Sequence, residues 1–373
     1  MKTYRNLYKK LYSFQNLHEA YQNAVKRKTS SKEVQEFQKH WRFHLCNLLR
    51  ELKTKTYFPK PLQKFVLRDP KTRVICVSAF RDRVVHHALV NILQPIFEPR
   101  FIYDSYASRR GKGMLKALQR FDEFKKKVSK NGKLIPNARN TNEVCGFVLK
   151  ADIKHYFETV DKELLVQILK RYVKDETVLW LTRIILDNYS SEVHGKGMPL
   201  GNWTSQFFAN VYLNELDQFV KHELKIKYYI RYVDDFVIFS DSKEELSVCK
   251  EKINLFLKKN LELELHPDKC SIIPLRRGVT FLGFRIFYQY KIVRQRNIKK
   301  IKKKLAGLLQ EYEHSLLNVQ DILNVLHGWN GYAKIGNTYQ LRKELEKSIK
   351  TELSEKEFQK PTLTFLNTPS FSL

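Results

Sequence analysis

The chain has 373 residues, 43% of them hydrophobic, which is enough to bury a substantial core and too much for a disordered polymer. Lysine and arginine number 68 against 39 acidic residues, and the resulting formal charge of +29 goes far beyond what solubility requires, so the expected partner is a polyanion. No uninterrupted apolar run reaches membrane-spanning length and no signal-peptide pattern follows Met1, so a cytoplasmic protein with no membrane partner is expected. The five cysteines, Cys46, Cys76, Cys145, Cys249 and Cys270, show no Cys-x-x-Cys spacing, which argues for reduced thiols and against structural zinc.

Residues 1 to about 60 read as basic, aromatic-rich helices in which Trp41, Leu45, Leu48, Leu49 and Leu52 form an apolar stripe at helical spacing. His40 and His44 stand four apart, as a zinc-binding helix could place them, but no acid or thiol accompanies them and they read as helix-surface histidines. After a Pro59-Lys60-Pro61 turn, the alternating run from Gln63 to Arg68, a turn at Asp69 to Thr72 and a second run from Arg73 to Val77 predict a hairpin with basic residues on one face. The polar stretch from about 125 to 143 predicts a surface loop, and the short apolar run Phe147-Val-Leu-Lys-Ala-Asp152 predicts a strand ending in a carboxylate. The segment from Tyr228 to Phe239 sets Asp234 and Asp235 between two runs of β-branched and aromatic residues, which predicts strand, tight turn, strand with the acids at the tip. A helix is expected over 243–259 and a strand over Val279 to Phe287. Finally, Ile298, Ile301, Leu305, Leu308, Tyr312 and Leu316 recur at three-four spacing, with Lys299, Lys300, Lys302, Lys303 and Lys304 in the intervals: a helix with one dry side and one strongly positive side.

Two acids at a hairpin tip invite a divalent metal. A hard cation such as Mg²⁺ takes carboxylate oxygens and usually keeps water and substrate phosphate in its other positions, so one Asp pair is incomplete. Asp152 is the best third ligand. If the strand ending in Asp152 pairs beside the Asp-Asp hairpin, three carboxylates converge on one sheet edge, a geometry suited to two-metal phosphoryl transfer.

The tetrapeptide Tyr232-Val-Asp-Asp235 with Asp152 upstream resembles the reverse transcriptase signature, and motif order extends the resemblance from about 58 to 345. It implies an α/β right-hand polymerase: a basic helical region over 1–60, fingers over 61–145, an antiparallel palm over 146–290 with a fingers-side helical portion at about 162–196, and a helical thumb and tail over 291–373. It implies two Mg²⁺ ions, with Mn²⁺ as an alternative, at Asp152, Ile153, Asp234 and Asp235. The segment Pro70 to His87 resembles the fingers of bacterial and group II intron enzymes; Arg73 and Arg81 are aimed at the incoming deoxynucleoside triphosphate, with Arg83 a further candidate. Ser105-Tyr-Ala-Ser-Arg-Arg-Gly-Lys-Gly113 is similar to the template-side motif and implies primer or template contacts at Arg109 and Lys112. Phe157 falls where the family has an aromatic gate against the ribose 2′-hydroxyl, while Gln206 and Tyr232 join the nucleotide site. His266-Pro-Asp-Lys269 resembles the motif whose lysine donates a proton to pyrophosphate, so Lys269 is counted as catalytic. Phe281-Leu-Gly-Phe284 resembles the primer grip, with Gly283 admitting the primer backbone, and Lys300 and Lys303 are the nucleic-acid contacts expected of the basic helix.

Within the family, Gly201-Asn-Trp-Thr-Ser-Gln206 is similar to diversity-generating retroelement enzymes, which implies error-prone copying of a template repeat RNA and a small basic oligomeric accessory protein as partner. Antiphage-defence and group II intron-like reverse transcriptases are the rival readings. A non-enzymatic RNA-binding scaffold is disfavoured by the intact acids. No endonuclease, maturase or RNase H domain is expected after the thumb.

Overall fold

The computed structural model describes residues 2–26, 31–68 and 72–359. The chain forms two compact units, one of residues 1–131 and 146–273, the other of 132–145 and 274–373.

In the first unit the N-terminal stripe packs as its spacing requires. Leu45, Leu48 and Leu52 of the helix Trp41–Lys53 are buried, in one core with Leu17 and Ala20 of Phe14–Val25 and with Val84, Val85 and Leu89 of Phe80–Phe97. His40 is exposed just before the helix Trp41–Lys53, and the His44 ring stacks on Phe37 at 4.6 Å. The strands β1 (Gln63–Leu67) and β2 (Arg73–Val77) form an antiparallel hairpin in the register Gln63↔Val77 to Leu67↔Arg73; most of its expected turn lies outside the described residues.

A four-stranded sheet carries the acids. β3 (Phe147–Asp152), β4 (Tyr229–Tyr232), β5 (Asp235–Ser240) and β6 (Ser271–Pro274) lie in the order β4-β5-β3-β6, with β3 and β4 both antiparallel to β5. Phe236, Val237 and Ile238 of β5 are buried, and Phe236 and Ile238 join the core beneath, which includes Leu246, Ile253 and Leu257 of the helix Lys243–Leu261. That helix begins where Ser242 accepts a hydrogen bond from the Glu245 amide at 3.0 Å, satisfying one of the free donors of its first turn.

The second unit has its own core, built from Ile301, Leu305, Leu309 and Tyr312 of the helix Gln295–Glu313 with residues of Val319–Ala333 and Tyr339–Gln359. Lys299, Lys300, Lys302, Lys303 and Lys304 are exposed. Three expectations change. The helix ends at Glu313 and Leu316 is exposed, because Ser315 turns the chain at a φ of +57°. The lysines at 125–127 close the helix Met114–Val128, so the loop begins after it. The single strand expected over 279–287 is a hairpin of β7 (Val279–Phe281) and β8 (Phe284–Ile286), because Leu282 and Gly283 take φ values of +45° and +89° and reverse the chain; β9 (Lys291–Val293) completes that sheet.

Candidate active site

Antiparallel pairing of β3 with β5 sets Asp152 directly opposite Asp235. Across the hairpin Tyr232 pairs with Asp235, leaving Val233 and Asp234 as the two turn residues. Directly opposed residues on neighbouring strands hold their side chains within about 5 Å of one another at Cβ, so the two strands bring together acids far apart in sequence. A third connection completes the floor: the His266 amide donates to the Asp152 carbonyl at 2.8 Å and Ile153 bridges Leu265, which carries Lys269 to Asp152, its Nζ 2.9 Å from Oδ1. The Ile153 side chain is buried, so only its backbone could serve a metal.

Burial raises the Asp234 carboxyl above the usual carboxylate range and the charge of Asp152 adds to the rise, while Arg73 and Lys269 oppose it. Burial likewise pushes Asp235 up to about 6; Lys150 pulls it down and Asp234 and Asp152 push it up. A carboxyl raised in the folded state binds its proton more tightly there than when unfolded, so the stability tied to this group is fully present below about pH 4 and lost as pH rises towards 6. In metal-free buffer Asp235→Asn is therefore expected to stabilise the protein at pH 7.5 by up to about 3 kcal/mol, and far less at pH 4. Calorimetric melting at the two pH values checks this, and equal gains at both would remove the buried charge as the cause.

Among the described residues no group of three His, Cys, Asp or Glu side chains is arranged to hold a metal ion. The donor set nevertheless fits Mg²⁺ or Mn²⁺: all-oxygen carboxylates, two opposed across one strand pair, destabilise one another as anions, and Mg²⁺ needs only one or two carboxylates when water and substrate phosphate complete its octahedron.

Beside the acids, Arg73, Phe157, Lys154, Met198, Leu200 and Tyr189 line a cleft of about 790 Å³. The Pro-Leu-Gly segment forms its wall by pairing with β2: the Cys76 amide donates to the Leu200 carbonyl at 2.9 Å, and Gly201, at φ +116°, lies where a Cβ would meet the Cys76 carbonyl at 3.1 Å. Gln206 is exposed on the helix Trp203–Gln218 and accepts a hydrogen bond from Ser108 at 2.9 Å, so the Gly-Asn and Ser105–Gly113 motifs meet. Tyr232 is half-buried at the hairpin.

Arg81, Arg83, Arg109 and Lys112 do not line this cleft. Arg81 is ion-paired with Glu51, 3.5 Å from Asp82 and over the Tyr57 ring, and Arg83 donates to the Ser78 carbonyl at 2.8 Å. The Arg109 side chain is only 7% exposed; its guanidinium bonds Glu98 and the carbonyls of Ile102 and Ser105, organising its own loop. Lys112 donates to the Tyr103 carbonyl at 2.8 Å, with Nζ 3.4 Å from the centre of that exposed ring. In the second unit the Gly283 carbonyl accepts from the Arg294 amide and the Tyr332 hydroxyl, and a Cβ on Gly283 would lie 2.4 Å from that hydroxyl. The glycine is thus required by Tyr332, a reason the sequence did not supply. Reading the sequence also passed over Arg231, Asp217 and Asn210, which are buried around the hairpin; a lone Arg inside Tyr-Tyr-Ile-Arg-Tyr-Val was the available signal, since a buried charge demands a partner.

Residues 59–286 match the family described as reverse transcriptase (RNA-dependent DNA polymerase). Similar curated proteins include Protein YkfC of Escherichia coli (strain K12), 27% identical over 277 residues that cover 63% of this chain and 69% of that protein. They also include the group II intron-encoded protein LtrA of Lactococcus lactis subsp. cremoris, 24% identical over 344 residues covering 74% of this chain and 54% of LtrA; the chain thus spans about half the length of that relative. A solved structure of telomerase from Candida albicans with a fragment of telomeric RNA shows a likeness at a TM-score of 0.46 and 11% identity, covering 83% of this chain and 65% of that one. No described helix is long and apolar enough to cross a membrane. With the family match covering more than half of its length and the acids converging on the antiparallel sheet as that family's signature leads one to expect, the chain belongs to the reverse transcriptases, the RNA-dependent DNA polymerases.

Proposed function

We propose that the chain extends a primer on an RNA template by two-metal nucleotidyl transfer at Asp152, Asp234 and Asp235, within the fingers, palm and thumb boundaries expected from the sequence. The observation that carries this reading is the register that sets Asp152 opposite Asp235 with Asp234 in the adjoining turn. When bound, Mg²⁺ would make the primer 3′-hydroxyl a better nucleophile and steady charge on the leaving pyrophosphate. Arg73, in the cleft and close enough to influence Asp234, meets the triphosphate as a permanent cation. Phe157 bars the 2′-hydroxyl, and Gln206 lies against the nascent base pair. Lys269, ion-paired with Asp152 at 2.9 Å, is the proton donor to pyrophosphate. The exposed lysines of the helix Gln295–Glu313 follow the nucleic-acid backbone. Replacing Lys299, Lys302 and Lys303 with Gln is expected to shallow the slope of log affinity against log salt by roughly two units. An unchanged slope in filter binding would leave that face merely solvated.

Within the family we assign the chain to the diversity-generating retroelements, on the Gly201-Asn202 and Ser205-Gln206 pattern, with a template repeat RNA as substrate and a small basic oligomeric protein as partner. Sequencing the cDNA made on a defined RNA tests this. Substitutions concentrated at template adenines are expected; uniform accuracy would favour the group II intron-type reading, which the likeness to LtrA supports.

A further inference from the structure

Arg231 has no exposed surface, although it sits on β4 two residues before the turn that presents the acids. Its fork is fully engaged. Nε and Nη2 donate to the Asp217 carboxylate at 2.7 and 2.6 Å, and Nη1 donates to Asn210 Oδ1 at 3.2 Å and to the Val233 carbonyl at 3.1 Å. Asp217 is equally buried and also accepts the Tyr229 hydroxyl at 2.8 Å.

A fully buried ion pair of this kind often contributes little net stability, because desolvation offsets its attraction. What it holds is specific. Val233 has a φ of +58°, a left-handed conformation that a β-branched residue rarely takes, and it opens the turn that delivers Asp234 and then Asp235. The Arg231 bond to the Val233 carbonyl ties that turn to the helix Trp203–Gln218, which supplies both Asn210 and Asp217. The same network reaches the template-side loop: the Arg231 backbone pairs with the Asp104 carbonyl and the Tyr106 amide at 3.0 Å each, and Asn210 Nδ2 donates to the Ala107 carbonyl at 2.9 Å.

We propose that Arg231 is a positioning residue for catalysis, holding the Val233 turn in its left-handed pose so that Asp234 and Asp235 are presented on the sheet edge that carries Asp152. Asp217 and Asn210 orient its fork. A lysine cannot replace it, because a single ammonium does not match a planar fork that must serve a carboxylate, an amide and a carbonyl at once. The inference rests on reading the three aspartates as the metal site.

The test uses the full chain with three readouts: Mn²⁺ binding by electron paramagnetic resonance without nucleic acid, kcat for primer extension, and Tm. Arg231→Lys is compared with the double variant Arg231→Met/Asp217→Leu, which removes both charges and keeps the volume. The double variant is expected to melt within a few degrees of wild type, yet to bind Mn²⁺ about tenfold more weakly and to lose at least about tenfold in kcat, with KM for the nucleotide changing less. Wild-type Mn²⁺ affinity and kcat in the double variant would overturn the proposal, leaving Arg231 a mere counter-ion to Asp217. Failure of both variants to fold would overturn it too, making the pair a stability element. Absence of Mn²⁺ binding by the wild-type chain would instead sink the site reading.

Discussion

Replacing Asp152 or Asp234 with alanine is expected to reduce primer extension by at least about 10³-fold while template-primer affinity changes less than about threefold. The separation follows from where the charges are. Chemistry depends on a few oxygens at one sheet edge, where Asp152 faces Asp235 across the β3–β5 pair and Asp234 occupies the turn. Binding depends on a formal surplus of 29 positive charges spread over the chain, to which either substitution adds one more. Asp152→Ala also leaves the Lys269 ammonium without its carboxylate partner at 2.9 Å. For that reason Asp234→Ala is the cleaner variant. Primer extension at saturating template, paired with fluorescence anisotropy for binding, checks both halves. Extension above background in either variant would mean that the aspartates are wrongly assigned, whereas a matching loss of binding would point to misfolding.

Phe157→Ala is expected to raise the ratio of ribonucleotide to deoxynucleotide incorporation by about 10²-fold, chiefly through better use of ribonucleotides. Phe157 lies two residues after His155, whose φ of +46° is left-handed, and opens onto the cleft that Arg73 lines. Its carbonyl accepts the Met198 amide at 2.7 Å, a backbone bond that remains when the ring, partly packed on the core beside Tyr156, is removed. Tyr156 is different: it is 2% exposed, and its hydroxyl donates to the Ala209 carbonyl, which makes it a core residue. Single-nucleotide incorporation with matched ribo and deoxy substrates checks the ratio. An unchanged ratio, with activity retained, would return Phe157 to an ordinary packing role.

Local pattern was enough to read the hairpin at Tyr228–Phe239, the strand ending at Asp152, the helix after Ser242 and the dry and positive sides of the helix Gln295–Glu313. In each of these, alternation or three-four spacing reports which face meets a core, and a cap or turn residue reports where the element stops. The grouping of Asp152 with the Asp234-Asp235 hairpin was legible because carboxylates are costly to cluster and seldom end apolar strands without a task. Which side chains actually meet was decided by tertiary structure. Arg73 and Arg81 look alike in sequence, yet Glu51 and Tyr57, from the preceding helical region, draw Arg81 away and leave Arg73 at the cleft. Arg109 sits in a motif that reads as exposed and basic, but Glu98 and two carbonyls absorb its fork. Leu282 and Gly283 break an apparently continuous strand by taking left-handed φ values, and Tyr332, distant in the chain, occupies the space that a side chain at 283 would need. Partners of this kind are fixed by packing across many residues of separation, a relation that no window of neighbouring residues encodes, and the strand register that sets Asp152 against Asp235 is the most consequential of them.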